Sequence, residues 1–426
     1  MKNGKLQIAL VGCGARGVSF FREFDHFYDK IDICATCDIV KEKAESAANT
    51  LFEKSGVRPE VFTEYEKLLE KELDAVILAS SWKDHVDYSC KAMEKGIAVA
   101  CEVGGTYSIE QIYRLIRCYE KTKTPYMFLE NCCYGRTELL ALNLAKSGLL
   151  GRVVHVAGGY MHDLRDCLTD GINTGWYRSS EYLQRNCDTY PSHEFLPLAR
   201  IIDWKDGNRP LYLYSISSPA WGAEDYSKEH YIPEAPANKL KFVHGDIITT
   251  VIKWARGETM TLTLDTTLPR YYSRGLTVRG TKGSVFEDTK SVCLDGVAKK
   301  YDKTWNEQWG NFKNFYEEYD SEIWKEFSKN PKGTHGGMDY LQFSDFFDCL
   351  INKKPMPIDV YDAAVTMAIT PLSEQSLLYN KPIDIPDFTE GRWMKRLEFE
   401  KAGLTEEEKK SYFLNNDTKI TGNVIE

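Results

Sequence analysis

The segment Leu6-Gln-Ile-Ala-Leu-Val-Gly12-Cys-Gly14-Ala-Arg-Gly17 determines the fold of the N-terminal part of the chain. It is an apolar run of strand length that ends in a glycine-rich turn, and residues 18–28 follow with helical spacing. Small residues in such a turn let the backbone approach a pyrophosphate, and the first turn of the helix supplies N–H donors. The segment therefore predicts a dinucleotide-binding site, formed by Gly12, Gly14, Ala15, Arg16 and Gly17.

Asp38 provides the second cofactor signal. It ends the apolar run 31–37 and lies 21 residues after Gly17. A carboxylate at this point accepts hydrogen bonds from both ribose hydroxyls and repels a 2′-phosphate. The spacing therefore predicts NAD rather than NADP; the alternative is a glycine turn followed by a solvated aspartate.

Strand-like and helix-like segments alternate up to about residue 130. Repeated βα units predict a parallel sheet with helices on both faces, here a Rossmann domain that binds NAD over residues 1–130. The further strands are predicted at 73–79, 97–101 and 126–129. The helices are predicted at 41–54, 85–95 and 109–122.

The second half has a different pattern, with long β-rich stretches between glycine-containing turns. Runs of strands favour a largely antiparallel sheet. We therefore predict an α/β protein whose residues 131–426 form a substrate-binding α/β domain on an open mixed sheet. Its strands are predicted at 153–160, 211–216, 247–254 and 259–266, its helices at 137–147 and 360–379, and a polar tail after about residue 405.

Composition excludes several classes of function. The chain carries 54 basic and 63 acidic residues without a basic block, so nucleic acid is not an expected partner. No apolar stretch reaches the roughly 18 residues that span a bilayer, and a strand begins soon after Met1, which favours a cytoplasmic protein without a membrane partner.

The twelve cysteines are scattered through apolar segments, which indicates buried thiols rather than a disulfide scaffold. Two pairs suggest redox or metal chemistry, Cys34 with Cys37 and Cys132 with Cys133. Residues three apart on a strand point to opposite faces, and neither pair has a second ligand pair at zinc spacing. Both pairs are therefore predicted to be structural.

The N-terminal half resembles the Gfo/Idh/MocA oxidoreductases, whose second domain presents sugar-binding residues to the nicotinamide. That family usually carries Glu-Lys-Pro after the fifth strand, with the lysine serving proton transfer. Here Cys101-Glu102-Val103-Gly104 takes that place, so the lysine is absent.

Five further motifs resemble, most closely, the NAD-dependent glycosidases of glycoside hydrolase family 109, which are α-N-acetylgalactosaminidase-like. That family also tends to have Glu-Val where the dehydrogenases have Glu-Lys. Family 109 differs from this chain at three places. It has glycine at the position of Cys187, threonine at the position of Ser192 and glycine near the position of Glu194. The motifs are Glu130-Asn-Cys-Cys-Tyr-Gly-Arg136, Gly159-Tyr-Met-His-Asp-Leu-Arg165, Arg185-Asn-Cys-Asp-Thr-Tyr-Pro-Ser-His193, Leu264-Asp-Thr-Thr-Leu-Pro-Arg-Tyr-Tyr-Ser-Arg274 and His335-Gly-Gly-Met-Asp339.

The resemblance implies hydrolysis by a redox route, a known exception to the two-carboxylate mechanism. NAD takes hydride from the sugar C3, and a base then removes the acidified C2 proton. The C1 substituent is eliminated, water adds, and the hydride returns, so the net change is hydrolysis. The protein must supply proton acceptors and donors near these carbons.

Tyr190 and His193 are predicted to be catalytic. They lie three residues apart around Pro191, and both face one side if a helix begins after that proline. Histidine takes and returns protons near neutral pH, and tyrosine can relay them. Tyr160 and Tyr272, from the matching motifs, are predicted as further catalytic groups. The alternative for each is a structural hydrogen bond.

The resemblance assigns further residues to the cofactor and the substrate. Cofactor contacts are expected from Glu102 and Asn131. The predicted substrate-binding residues are His162, Arg165, Asp188 and His335. His162 with Asp163 has no third ligand at a supporting spacing, so no metal is predicted.

Two other functions compete with the glycosidase. One is a net NAD-dependent sugar dehydrogenase, which the missing lysine disfavours. The other is a non-catalytic dinucleotide and sugar sensor on the same fold. The expected partner is a small-molecule glycoside, with a homo-oligomer expected by analogy. The sugar, its anomer and the leaving group stay open.

Overall fold

The computed structural model describes residues 1–104, 106–297 and 308–394. Six parallel strands form the first sheet, in the order β3-β2-β1-β4-β5-β6. This order places a ligand crevice at the carboxyl end of β1, where the strand order reverses. The strands are β1 (Leu6–Val11), β2 (Ile31–Cys37), β3 (Glu60–Phe62), β4 (Ala75–Leu78), β5 (Ala98–Glu102) and β6 (Tyr126–Leu129).

Helices cover both faces of this sheet, and the strands β4, β5 and β6 are buried throughout, although β6 lies at the edge. Burial on both faces explains why these strands are continuous apolar runs rather than alternating ones. The predicted Rossmann fold is confirmed. Its helices are α1 (Ala15–Ser19), α2 (Phe21–Phe24), α3 (Lys41–Ser55), α4 (Tyr65–Leu68), α5 (His85–Glu94) and α6 (Ile109–Thr122).

The second sheet has eight strands in the order β13-β12-β11-β7-β10-β9-β8-β14. Only its β7–β10 pair is parallel among the described strands, which confirms the predicted open mixed sheet. The strands are β7 (Val153–Met161), β8 (Pro210–Ser217), β9 (Ile247–Trp254), β10 (Thr259–Asp265), β11 (Thr277–Gly280), β12 (Gly283–Phe286), β13 (Ser291–Leu294) and β14 (Ile383–Asp384).

Alternate residues of β9 and β10 are buried, because helices cover one face of this sheet and leave the other open. The helices of this half are α7 (Arg136–Lys146), α8 (Arg165–Thr174), α9 (Tyr177–Gln184), α10 (Ser192–Ile201), α11 (Gly222–His230), α12 (Tyr316–Tyr319), α13 (Glu322–Phe327), α14 (Met338–Asn352) and α15 (Val360–Tyr379).

Helix α14 packs against the first domain although it lies late in the sequence. The ring centroid of Phe343 lies 4.9 Å from that of Phe20 and 5.6 Å from that of Phe24. Phe347 packs edge-on against Phe27 at 5.2 Å. One hydrophobic core therefore includes residues from both sheets and from this helix.

The predicted helix over 18–28 is wrong in one respect: two short helices meet at Phe20. Several backbone bonds here span three residues, such as Glu23 N–H to the Phe20 carbonyl at 2.9 Å and Phe27 N–H to the Phe24 carbonyl at 2.9 Å. This tighter winding ends regular α-helix after Ser19. The predicted polar tail lies outside the described residues. Within the described ranges, no helix is both long and apolar enough to cross a membrane.

Candidate active site

The glycine turn after β1 is shaped by backbone contacts. Gly12 has a φ of 89°, and a Cβ there would lie 2.5 Å from the carbonyl carbon of Ala79. A Cβ on Gly17 would lie 2.0 Å from the Gly12 carbonyl oxygen, whereas one on Gly14 would meet nothing within 4 Å. Gly12 and Gly17 are therefore needed for packing, and Gly14 faces open space suited to a pyrophosphate.

Asp38 lies where the sequence predicts, directly after β2, and it also holds the turn. Its Oδ2 accepts a hydrogen bond from the Cys13 backbone N–H at 2.8 Å, and its Oδ1 accepts one from Val40 N–H at 2.9 Å. A carboxylate oxygen has more than one acceptor site, so both oxygens can still receive a ribose hydroxyl. The arrangement fits NAD.

Arg16 forms a charged cluster with residues from three parts of the chain. Its Nε donates to Glu102 Oε1 at 2.8 Å, at the end of β5. Its two terminal nitrogens donate to both oxygens of Asp339 at 2.8 and 3.0 Å. Asn131 Nδ2 also donates to Asp339, at 2.8 Å, and His335 Nδ1 lies 2.7 Å from it. The structure thus groups three of the predicted cofactor residues, Arg16, Glu102 and Asn131, with Asp339, which was not predicted as a site residue.

The charges in this Arg16 cluster are fixed by burial and pairing. Burial raises the pKa of Glu102, against the opposing charge of Arg16. Burial also acts to raise the pKa of Asp339, but hydrogen bonds from His335 and Arg16 outweigh it, and the pKa lies well below its ordinary value. Asp339 is therefore an ionised anchor between the glycine turn and α14.

Predicted catalytic and substrate residues form an aromatic cluster at the ends of β7 and β10 and at the start of α10. The Tyr160 ring centroid lies 4.4 Å from that of Tyr190 and 5.5 Å from that of His193. His162 and Tyr272 pack edge to face at 5.3 Å. The Tyr160 hydroxyl lies 3.3 Å from His162 Nδ1, which joins the two halves of the cluster.

Helix α10 begins at Ser192 behind Pro191, as proposed from the sequence, and this puts His193 in its first turn. His193 Nδ1 lies 2.8 Å from Oε1 of Glu130. Glu130 is fully buried, and the charge of His193 together with hydrogen bonds lowers its pKa in spite of burial. The sequence analysis quoted Glu130 within a motif but gave it no role, because a single acid carries no spacing signal.

Arg178 is a further residue that the sequence analysis missed. Its guanidinium lies over the rings of Trp82, Trp176 and Tyr190 at 4.9, 5.2 and 4.8 Å. Its buried Nε has no hydrogen-bond partner, and no carboxylate of the described ranges forms an ion pair with it. Arg178 therefore brings one unpaired donor, its Nε, to the Tyr190 side of the cluster.

Tyr272 contacts a buried charge cluster through Arg274, whose Nη1 donates to the Tyr272 hydroxyl at 3.3 Å. Arg274 pairs with Glu138, and its nitrogens lie 3.3 Å from Glu194 and 3.7 Å from Glu287. Burial beside these carboxylates raises the pKa of Glu194 well above its ordinary value. Glu194 stands near a position where family 109 has glycine, and its raised pKa favours the neutral form.

Of the other predicted substrate residues, Arg165 and His335 make their contacts outside the aromatic cluster, whereas Asp188 stands two residues before Tyr190. Arg165 donates to both carboxylate oxygens of Asp163, at 2.9 and 2.7 Å. Asp188 is 1% exposed, and burial raises its pKa to about 7. His335 belongs to the Arg16 cluster and not to the Tyr190 cluster. Substrate contact by these three stays a prediction.

Comparisons with known proteins identify the family to which the chain belongs. Residues 6–129 match the model described as "Oxidoreductase family, NAD-binding Rossmann fold", and residues 134–395 match "Glycosyl hydrolase 109, C-terminal domain". The chain is 34% identical to a glycosyl hydrolase family 109 protein of Stenotrophomonas maltophilia, covering 92% of this chain and 91% of that protein. It is also 34% identical to an alpha-N-acetylgalactosaminidase of Tannerella forsythia, covering 92% and 88%.

Solved structures share the fold at lower identity. The WlbA dehydrogenase of Bordetella pertussis, solved with NADH and UDP-GlcNAcA, has a TM-score of 0.66 at 13% identity. The match covers 91% of this chain and 99% of that one. At this identity the likeness supports the two-domain architecture alone.

Proposed function

Because the chain belongs to glycoside hydrolase family 109, we propose that it hydrolyses glycosides through transient oxidation at the sugar C3, with NAD as a recycled cofactor. The proposed substrate class is α-N-acetylgalactosaminides, after the name of the Tannerella forsythia relative. Net oxidation of a sugar is the second candidate. The buried Val103 in place of a lysine counts against it.

The observation that carries this proposal is the pair of His193 and Glu130 beside Tyr190. A buried carboxylate orients an imidazole and stabilises the imidazolium that forms when the ring accepts a proton. Burial raises the pKa of Tyr190 well above its ordinary value, so its hydroxyl stays protonated. The protein thus offers a proton acceptor and a proton donor with ring centroids 4.8 Å apart.

NAD held by the glycine turn and Asp38 would supply the hydride chemistry at C3. The protein's own residues must then handle protons at C2, at C3 and at the leaving group on C1. We assign proton removal at C2 to the pair formed by His193 and Tyr190, and orientation of the sugar to Tyr160, Tyr272 and the unpaired Nε of Arg178.

Hydrolysis of an aryl glycoside in D₂O tests this route. Elimination across C1 and C2 removes the C2 hydrogen, so the released sugar should carry deuterium at C2. NAD should be needed only in catalytic amount, without accumulation of NADH. Products with protium at C2 after complete turnover would overturn the redox route, and stoichiometric NADH would identify a net dehydrogenase instead.

A panel of aryl glycosides tests the substrate class. The α-anomer of N-acetylgalactosamine should be cleaved fastest, while glucosides and uronides that lack the acetamido group should react slowly. Elimination does not pass through an oxocarbenium ion, so sulfur-linked glycosides should also be cleaved. A preference for sugars without the acetamido group would reject the proposed class.

We also propose a cytoplasmic location and a homo-oligomer. All twelve cysteines are free thiols, which suits a reducing compartment. The open face of the second sheet exposes Tyr212, Ile216 and Val251 on neighbouring strands, and such a surface supports pairing between copies. Sedimentation of the purified protein tests the oligomer.

A further inference from the structure

Three potential metal ligands of different chemistry meet behind the aromatic cluster. Glu130 and Cys132 come from the turn after β6, and His193 comes from the first turn of α10. One ligand atom from each residue lies within 4.8 Å of the other two. A carboxylate oxygen, a thiol sulfur and an imidazole nitrogen are all ligand types that Zn²⁺ takes in proteins.

Two of these ligands have bonding capacity that the protein leaves unused. Glu130 Oε2 is buried without a hydrogen-bond partner among the described residues. The Cys132 thiol is 1% exposed and makes one weak contact, to Asn131 Oδ1 at 3.5 Å. Ligand atoms of a tetrahedral zinc site lie about 3.3–3.8 Å apart, so rotations that shift these atoms by roughly 1 Å would bring all three to that spacing and leave the fourth position open.

We propose that Glu130, Cys132 and His193 bind a thiophilic divalent cation such as Zn²⁺, and that the bound ion inhibits the enzyme. The Cys132 sulfur binds as thiolate and releases its proton to solvent; no electrons are transferred. An imidazole that is bound to a divalent cation accepts a second proton far less readily. The proposed inhibition depends on the proposed role of His193 in proton transfer. The proposed metal site does not depend on that role.

Cobalt binding tests the site without an activity assay. The NAD-loaded protein would carry Cys167→Ser and Cys293→Ser, because these two thiols are exposed. One equivalent of Co²⁺ should produce a thiolate-to-cobalt charge-transfer band. The band should be lost in Cys132→Val and retained in Cys133→Val, a matched control for the neighbouring buried thiol.

Zinc inhibition is measured on the same variants. Zn²⁺ should inhibit the parent and Cys133→Val reversibly, with EDTA restoring activity, and at least about tenfold more weakly in Cys132→Val. If Cys132→Val and Cys133→Val give equal cobalt charge-transfer bands, or are inhibited equally by Zn²⁺, the proposed metal site is overturned. A band that depends on Cys132 but brings no inhibition would support the metal site, and would overturn both the inhibition and the role of His193. Unchanged melting temperature and basal kcat show that Cys132→Val is folded.

Discussion

The Nδ1 atom of His193 lies 2.8 Å from Oε1 of Glu130, and the same oxygen accepts the backbone N–H of Cys132 at 3.0 Å. The backbone of the turn after β6 therefore holds the Glu130 carboxylate in place beside His193. When Nδ1 carries the hydrogen that Glu130 accepts, Nε2 is the nitrogen left to exchange protons with a substrate.

The Glu130→Gln variant should lose about 10²-fold in kcat, because an amide orients the ring but stabilises its charged form poorly. His193→Ala should lose at least as much, and the double variant little more, since the two residues act as a unit. Steady-state kinetics and NAD titration measure these effects. A fall in NAD affinity that accounts for the whole loss would show that Glu130 serves the cofactor instead.

Asp38 should select NAD over NADP. We expect the Asp38→Asn variant to lose about tenfold or more of this preference, because an amide no longer repels a 2′-phosphate. The measurement is a titration of both cofactors into stripped protein. Tighter binding of NADP than of NAD to the parent protein would reject this role of Asp38.

The Asp339→Asn variant should lower the free energy of unfolding by about 3 kcal/mol, because it leaves the partly buried Arg16 without its bidentate partner. Urea denaturation measures the loss. Asp348→Asn, on the exposed side of the same helix, is the matched control and should leave the free energy of unfolding almost unchanged, because its ion pair with Lys354 is exposed to solvent. Equal losses in both variants would mean that the Arg16 cluster is not an anchor.

Asp188 should make stability depend on pH. Burial raises its folded pKa to about 7, above the ordinary value of 3.8, so folded protein holds a proton that the unfolded chain releases. The parent protein therefore loses stability as pH rises from the ordinary pKa of 3.8 towards the folded pKa of about 7. The Asp188→Asn variant has no carboxyl at this position and does not show this loss. The melting temperature of the variant, relative to the parent, should rise between about pH 5 and pH 8.

Asp348→Asn is also the control for this pH effect. A hydrogen bond from Lys354 lowers the pKa of Asp348 below its ordinary value, so this carboxyl is already ionised in the pH range over which Asp188 titrates. The melting temperature of Asp348→Asn, relative to the parent, should therefore stay constant between about pH 5 and pH 8. The same rise in both variants would remove Asp188 as the cause.

The sequence predicts much of the fold because the periodic segments are long and sharply bounded. Helices α6 and α15 and strands β6 and β9 have the predicted bounds, since turn residues flank each apolar pattern. Helix α14 was missed, although it has the length of an ordinary helix. Its pairing with Phe20 depends on a contact between distant segments, which periodicity does not encode.

The site was predictable where a residue belongs to a motif with its own geometry. The glycine turn and the pair Tyr190 and His193 are such cases, and the structure brings the latter together. Asp339 is different, because its partner Arg16 is 323 residues away and neither residue signals the other. Cys132 is predicted to be structural because the sequence offers no second ligand pair at zinc spacing, and its proximity to Glu130 and His193 arises only in the folded chain.

The contact of α14 with Phe20, Phe24 and Phe27 also affects how the protein is made. A ribosome that adds roughly 5–20 residues per second needs about 10–40 seconds to travel from residue 130 to residue 338. During that interval the nascent nucleotide-binding half lacks the helix that covers these phenylalanines. Their apolar rings therefore lack this cover until α14 has been synthesised.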